Sequence, residues 1–308
     1  MESLEYKEQM KPNIIILGAH GMLGWQVLKV FNNSNYKVKC QVRNKKSKKN
    51  LLQSLNLKNQ VKFFFFDVEK DEIKNLERNI KKKDIVINCI GKIKPFINED
   101  NLSQIESAIK VNSLFPLQLL NIIKKKKIKF YKIKNDCVYS EKSGNYKEDA
   151  IHDAHDIYGK TKSLGEINHK NFFNIRVSII GKELNTKNSL VEWFISNKNS
   201  YKIFGFKDHF WNGVSTNVFA NILLTILDKK INIPNKLHIV PNDKVNKYIL
   251  LNYLKKQYNF KDLKIIKKRS NMTINRVLQT LYKNINNEIW VKTKYKKKLS
   301  IKEIVSTL

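Results

Sequence analysis

The chain has 308 residues, 42% of them apolar, which is enough to bury a core of its own without disulfide or metal staples. Its formal charge is +32, yet 54 of the 59 basic residues are lysine, and only Arg43, Arg78, Arg176, Arg269 and Arg276 are arginine. Base readout and phosphate clamping favour arginine, so lysine spread along the whole chain reads as a solvated surface and sets aside specific nucleic-acid binding.

The first twelve residues, MESLEYKEQMKP, mix acids with bases and carry no apolar signal region. NIIILGAHG then reads as a buried strand ending in glycines, MLGWQVLKVF as a helix, YKVKCQV as a strand, and VKFFFFDV as another strand closed by Asp67. A helix around Glu69 to Ile80, the strand DIVINCIG, a long helical region through VNSLFPLQLLNII and the strand IKFYKI follow. The run KKKK, Lys124 to Lys127, falls where that helix should end, and cations suit a helix carboxyl terminus. Next come a helix over YGKTKSLGE and the strand FFNIRVSII. Strands alternating with helices imply βαβ units and a parallel sheet.

Beyond Gly181 the pattern loosens into short strands (YKIFGF, LHIV) and helices (NVFANILLTILDKK, KYILLNYLKKQY, INRVLQTLYKNI). The expected organisation is an α/β Rossmann-type doubly wound fold. A first domain over 1–180 is followed by a smaller lobe over 181–308, with an approximate boundary across which the chain can return; the motifs below make the first a candidate NAD(P)-binding domain and the second a candidate substrate-binding lobe. No apolar run approaches the roughly 20 residues of a membrane span, so no membrane insertion is expected and a cytoplasmic protein is the default. Cys40, Cys89 and Cys137 are far apart in strand-like runs and read as reduced thiols.

Three motifs carry chemistry. In GAHGMLG, Gly18, Gly21 and Gly24 follow a strand and open a helix. In that setting the first glycine allows a tight turn, the second lets the backbone approach a pyrophosphate, and the third lets the helix pack closely. At the end of the second strand, QVRNKK places Arg43 where an NAD site usually carries an acid, so NADP(H) is favoured and NAD(H) is the alternative. Finally, in DIYGKTKSLGE, Tyr158 and Lys162 stand four residues apart. On a helix they share a face, and an ammonium near a phenol is expected to lower its pKa.

These motifs together resemble the short-chain dehydrogenase/reductase superfamily in its extended form. FFFDV, INCIG and VNSLFP fit the same order. More narrowly, NDCVYSEKSGNYKEDAIHDAHDIYGKTKSLGE, IRVSIIGKEL, SLVEWF and WNGVST look like the dTDP-4-dehydrorhamnose reductase group, over about residues 13 to 220. The resemblance implies a cofactor held by Gly18, His20, Gly21, Met22, Leu23, Gly24, Arg43, Asp67, Val68, Cys89, Ile90, Gly91 and Asn112, with Tyr158 and Lys162. Tyr158 would exchange the proton, Lys162 would hold the cofactor ribose, and Asp136, Cys137, Ser178, Trp211 and Asn212 would line the substrate site. One position departs from the family: a serine or threonine slot beside the tyrosine holds Asn135, whose amide can donate a hydrogen bond but cannot relay a proton.

The implied activity is NADPH-dependent reduction of the 4-keto group of a nucleotide-activated deoxysugar, for surface polysaccharide precursors. Three alternatives stay open: a non-catalytic nucleotide-binding or regulatory subunit of the same fold, a nucleic-acid-associated protein using the lysine field, and a sugar-nucleotide epimerase or dehydratase. The expected partner is a nucleotide-sugar substrate, with a homodimer left open. His152 and His155 in HDAHD have no third ligand cluster in view, so no metal is expected, and His20 reads as an exposed turn residue near phosphate.

Overall fold

The computed structural model describes residues 12–184 and 186–308. Apart from Pro12, the amino-terminal stretch read for a signal lies outside them. Six strands form in the first part of the chain: β1 (Ile14–Leu17), β2 (Val38–Val42), β3 (Lys62–Phe65), β4 (Ile85–Asn88), β5 (Lys129–Lys134) and β6 (Phe172–Arg176). The helices between them are α1 (Gly24–Asn32), α2 (Lys45–Ser54), α3 (Ile73–Glu77), α4 (Leu102–Ile109), α5 (Phe115–Lys126) and α6 (Ile157–Leu164). A seventh strand, Lys236–His238, completes a parallel sheet of order 236–238, β6, β5, β4, β1, β2, β3.

Covering helices explain the strand composition. β1 and β4 are buried along their whole length and carry apolar runs instead of alternation. On one face, Val27, Leu28 and Phe31 of α1 share a core with Phe219, Ile222 and Leu223 of the helix Thr216–Asp228. On the other, Phe115, Leu119 and Ile123 of α5 cover Ile15, Leu17 and Phe130. The strand order reverses beside β1, so the crevice for a ligand opens at the carboxyl ends of β1 and β4.

Three expectations change. The helix anticipated from Glu69 to Ile80 shrinks to α3, five residues long. LHIV belongs to the central sheet and not to a separate lobe, because Leu237 and Ile239 bury completely when the strand pairs with β6. INRVLQTLYKNI is not one helix: Ile274–Asn275 pairs parallel with the strand His209–Trp211, and helix begins only at Lys283. The extended backbone there is claimed by distant groups. Asn212 exchanges two 2.8 Å hydrogen bonds with the main chain of Leu278, and Glu148 accepts from Leu281 N–H at 2.8 Å. Tertiary partners thus override helical periodicity, and they carry Arg276 with them.

β5 holds an unusual residue. Lys132 is 1% exposed and its Nζ has no partner among the described residues, as is true of Asn88 Nδ2 and Asn174 Oδ1 on the register neighbours in β4 and β6. Burial, then the neighbouring lysines Lys134 and Lys162, push the Lys132 amine well below the usual lysine range. An unpaired buried donor costs about 1–3 kcal/mol. Lys132→Met is therefore expected to raise unfolding free energy at neutral pH by about that amount. Because the unfolded chain binds the proton that the folded one releases, the variant should also lose part of the rise in stability with pH towards the ordinary lysine range. Urea titrations across pH measure both; a destabilised variant would show that the ammonium has a partner.

Candidate active site

The glycine turn follows directly from β1. Gly18 has φ of +77°, in the left-handed region, and its N–H donates to Gln41 Oε1 at 2.7 Å. Gln41 Nε2 in turn donates to the carbonyl of Phe66, so one buried side chain of β2 ties the ends of β1 and β3 together. A Cβ on Gly24 would fall 2.0 Å from the Gly18 carbonyl oxygen, which is why α1 can start so close to the turn. Met22 and Leu23 lead into α1, whose amino terminus has no capping side chain and no acid in its first turn. Arg43 Nε lies 3.9 Å from Asp67 Oδ2, with Val68 buried beside it in sequence. His20 is half-buried and not exposed as expected; its Nδ1 is buried without a partner, and burial followed by Arg43 lowers its pKa.

Tyr158 and Lys162 do share one face of α6, which Asp156 caps by accepting from Gly159 N–H at 2.7 Å. Both are buried, 5% and 8% exposed. Asn135 Nδ2 donates to Tyr158 Oη, so the substituted slot does touch the phenol. Lys162 Nζ lies 5.5 Å from the Tyr158 ring centroid, over the ring and beside Gly91, where a Cβ would come within 2.3 Å of it. In the chain alone the direction of the phenol's pKa shift is set by burial and not by the ammonium. Burial, reinforced by Cys137, pushes the Tyr158 phenol well above its usual range, with the Asn135 hydrogen bond pulling the other way. Burial also brings Lys162 down to about 8, so it keeps its proton at neutral pH.

Asn112 lies in a π-helical turn, Lys110–Leu114, between α4 and α5. Its Oδ1 accepts from Lys92 N–H at 3.0 Å, and its Nδ2 donates to Lys92 O and to Thr161 Oγ1. Cys89, Ile90 and Gly91 follow β4 into the same crevice, where Cys89 N–H donates to Leu17 O at 2.9 Å. The structure therefore gathers the glycine turn, the β4 end, Asn112, Asn135, Tyr158 and Lys162 around the switch point. Lys134, which the sequence did not single out, donates from Nζ to the Lys162 carbonyl at 3.0 Å.

Beneath the site lies Arg176. Its Nη1 donates to the Asn135 carbonyl at 2.6 Å, Nη2 pairs with Glu166 Oε2 at 2.6 Å, and Nε donates to His238 Nε2 at 3.2 Å. His152 completes the ring, 3.1 Å from Nη2, with its Nδ1 2.7 Å from Ser163 Oγ. Arg176 chiefly, with Lys134, holds the Glu166 carboxyl down at about 2 against the opposing effect of burial. Burial and then Arg176 lower His152 and His238 to about 4.

The residues expected at the substrate end form a chain: Trp211 Nε1 donates to Ser178 Oγ at 2.6 Å, and Ser178 Oγ donates to Asp136 Oδ2 at 3.3 Å. Cys137 Sγ lies 3.8 Å from Asp136 Oδ1. Asn212 is spent on the Leu278 backbone, so its amide positions a strand. Sequence reasoning missed Arg276, which stands against Asp136, Glu141 and Cys137 and whose Nη2 pairs with Glu141 at 2.8 Å. The available signal was its rarity: an arginine in a chain that otherwise uses lysine.

The residues present fit a dinucleotide. An uncapped helix amino terminus behind a left-handed glycine suits a pyrophosphate, His20 Nδ1 lacks a partner beside it, and Lys162 stands over Gly91 where a side chain would intrude.

Residues 10–276 match the family described as RmlD substrate binding domain. No curated protein matches the chain. Among solved structures, the dTDP-4-dehydrorhamnose reductase of Yersinia enterocolitica superposes with a TM-score of 0.72 at 19% identity, over 96% of this chain and 98% of that one. The dTDP-4-dehydrorhamnose reductase of Bacillus anthracis, in complex with NADP, gives 0.71 at 16% identity over 97% and 98%. UDP-glucuronic acid 4-epimerase from Bacillus cereus, in complex with UDP-glucuronic acid and NAD, gives 0.71 at 20% identity over 95% and 96%. At these identities the likeness establishes the fold.

The Arg176 cluster sets an acid limit on stability. His152 and His238 resist protonation in the folded chain, so stability should fall as pH drops from the ordinary histidine value of 6.5 towards about 4. Glu166, at about 2 when folded against an ordinary 4.5, adds stability above pH 4.5 that is lost between 4.5 and 2, on the order of 3 kcal/mol. Glu166→Gln should cost about 3–5 kcal/mol at neutral pH by stranding Arg176, and should flatten the loss below pH 4.5. Chemical unfolding as a function of pH tests this; an unaltered acid limb in the variant would remove Glu166 from the account.

Proposed function

The chain belongs to the RmlD substrate-binding-domain family, within the extended short-chain dehydrogenase/reductases, and from that premise we propose that it reduces the 4-keto group of a nucleotide-activated deoxysugar with NADPH. The observation that carries the reading is the buried contact between Asn135 and Tyr158, with Lys162 over the phenol ring. When bound, the nicotinamide cofactor supplies the hydride. Tyr158 holds the proton: burial keeps its phenol protonated across the working pH range, which suits donation to an alkoxide more than abstraction. One N–H of the Asn135 amide is spent on Tyr158 Oη, and its second is free to polarise a substrate carbonyl. Lys162, charged at neutral pH, orients the cofactor ribose, and the Lys134 contact to its carbonyl steadies the end of α6.

NADPH over NADH is supported by Arg43, 55% exposed after β2, whose own end carries no acid, while Asp67 after β3 lies 3.9 Å from its Nε. The substrate's phosphates would meet two cations on the lobe, Arg276 and Lys247, which lies within its electrostatic reach. Lys247 is held between aromatic rings, 5.4 Å from the centroid of Trp193 and 5.7 Å from that of Phe206. Such an enzyme would serve the making of surface polysaccharide precursors. Among the described residues no helix is long and apolar enough to cross a membrane.

NADPH oxidation against a panel of nucleoside-diphosphate 4-keto-6-deoxy sugars tests the reading. Tyr158→Phe should lose about 10²- to 10⁴-fold in turnover while still binding NADPH, and Asn135→Ala about 10²- to 10³-fold. Binding of NADPH with no turnover on any member of the panel would favour a non-catalytic subunit, the reading that the loss of the hydroxyl at position 135 would then explain. Arg43→Ala should erase a preference for NADPH of roughly ten- to a hundredfold, read by fluorescence titration of both cofactors. Equal affinities in the unmutated chain would remove Arg43 from cofactor selection.

A further inference from the structure

Glu141 sits in the loop joining β5 to α6 and has φ of +65°. That left-handed region suits glycine or a short amide side chain, and glutamate has no local hydrogen bond that favours it. The loop is nevertheless pinned. Ser140 N–H and Oγ donate to Asp153 at 2.7 and 2.6 Å, and Asn275 N–H donates to the Glu141 carbonyl at 2.6 Å. What the side chain gains is distant in sequence: both carboxylate oxygens lie on one nitrogen, Nη2 of Arg276, at 2.8 and 2.9 Å. Arg276 Nε, buried, has no partner among the described residues. The Arg276 and Glu141 side chains are 40% and 24% exposed, so the pair is reachable from solvent.

This pairing leaves Nη1, the second arm of the guanidinium fork, without a hydrogen bond among the described residues. A phosphate engages an arginine through two parallel N–H groups, whereas Glu141 uses only one nitrogen. Asp136 faces the same guanidinium but is 5% exposed and already accepts from Ser178, so Glu141 is the carboxylate free to move.

We propose that Glu141 is a built-in competitor for the anionic end of the substrate: its carboxylate occupies Arg276 until phosphate oxygens of a nucleoside diphosphate displace it. The inference rests on the sugar-nucleotide reading and assigns Glu141 a positioning role, acting through Arg276 on substrate affinity and selection. Only a ligand whose phosphates outbid a carboxylate gains the fork, so neutral or singly charged sugars are rejected.

The test uses the full chain. Calorimetric titration of dTDP, UDP and inorganic pyrophosphate into the unmutated protein, Glu141→Gln, Glu141→Gly and Arg276→Gln is paired with KM and kcat for the sugar nucleotide. Both Glu141 variants should bind the diphosphates a few-fold to about tenfold more tightly, with KM falling and kcat holding, and Arg276→Gln should lose the binding. Glu141→Gly also relieves the left-handed backbone, so one variant remains informative if the other folds poorly. A mere clasp between loop and lobe predicts the opposite sign, and unchanged or weaker diphosphate binding in either folded Glu141 variant overturns the proposal. Turnover with unaltered KM and diphosphate affinity sinks the competitor and spares the reductase; tightened diphosphate binding without turnover on any sugar does the reverse.

Discussion

Everything at the site hangs on the buried guanidinium of Arg176. It reaches four parts of the chain at once: the Asn135 carbonyl after β5, Glu166 after α6, His152 in the intervening loop, and His238 on the returning strand. A buried charge of this kind tolerates no missing partner, since stranding it costs several kcal/mol. The arrangement therefore holds the end of β5 against the end of α6, and Asn135 meets Tyr158 across that junction. His152, held by Ser163, ties the loop between them to the same guanidinium.

The distribution of acids follows from the same economy. In a chain with 59 basic and 27 acidic residues, most cations have no acidic partner and remain in water. Several buried or half-buried acids sit where chain segments far apart in sequence meet. Glu166 anchors Arg176 and Lys236, Glu148 accepts from His238, Thr280 and Leu281, and Glu141 spans from the β5–α6 loop to Arg276. Glu148 and Asn212 together explain how the stretch after residue 274 stays extended and delivers an arginine to the cleft.

Burial also reverses a local rule. Four-residue spacing does bring Lys162 to Tyr158, but burial strips the phenolate of water, and that loss is the largest effect on the phenol. Here the surrounding core raises the phenol and lowers the amine, and geometry places the ammonium over the ring face.

Local chemistry was legible in the sequence by itself. Uninterrupted apolar runs in IIIL and IVIN mark strands buried on both faces, the GAHGMLG glycines mark the turn, and Y-x-x-x-K marks the helix face, because each depends on residues within a turn or two of one another. The resemblance they support is borne out by the family match over residues 10–276. Tertiary structure alone decided what depends on meetings between segments far apart in sequence. It moved 236–238 into the central sheet, unwound the helix expected at INRVLQTLYKNI, buried Lys132 without a partner, and set Glu141 on Arg276 across 135 positions. In each case the deciding quantity is the solvent or partner supplied by a distant segment, and periodicity along the chain carries no record of it.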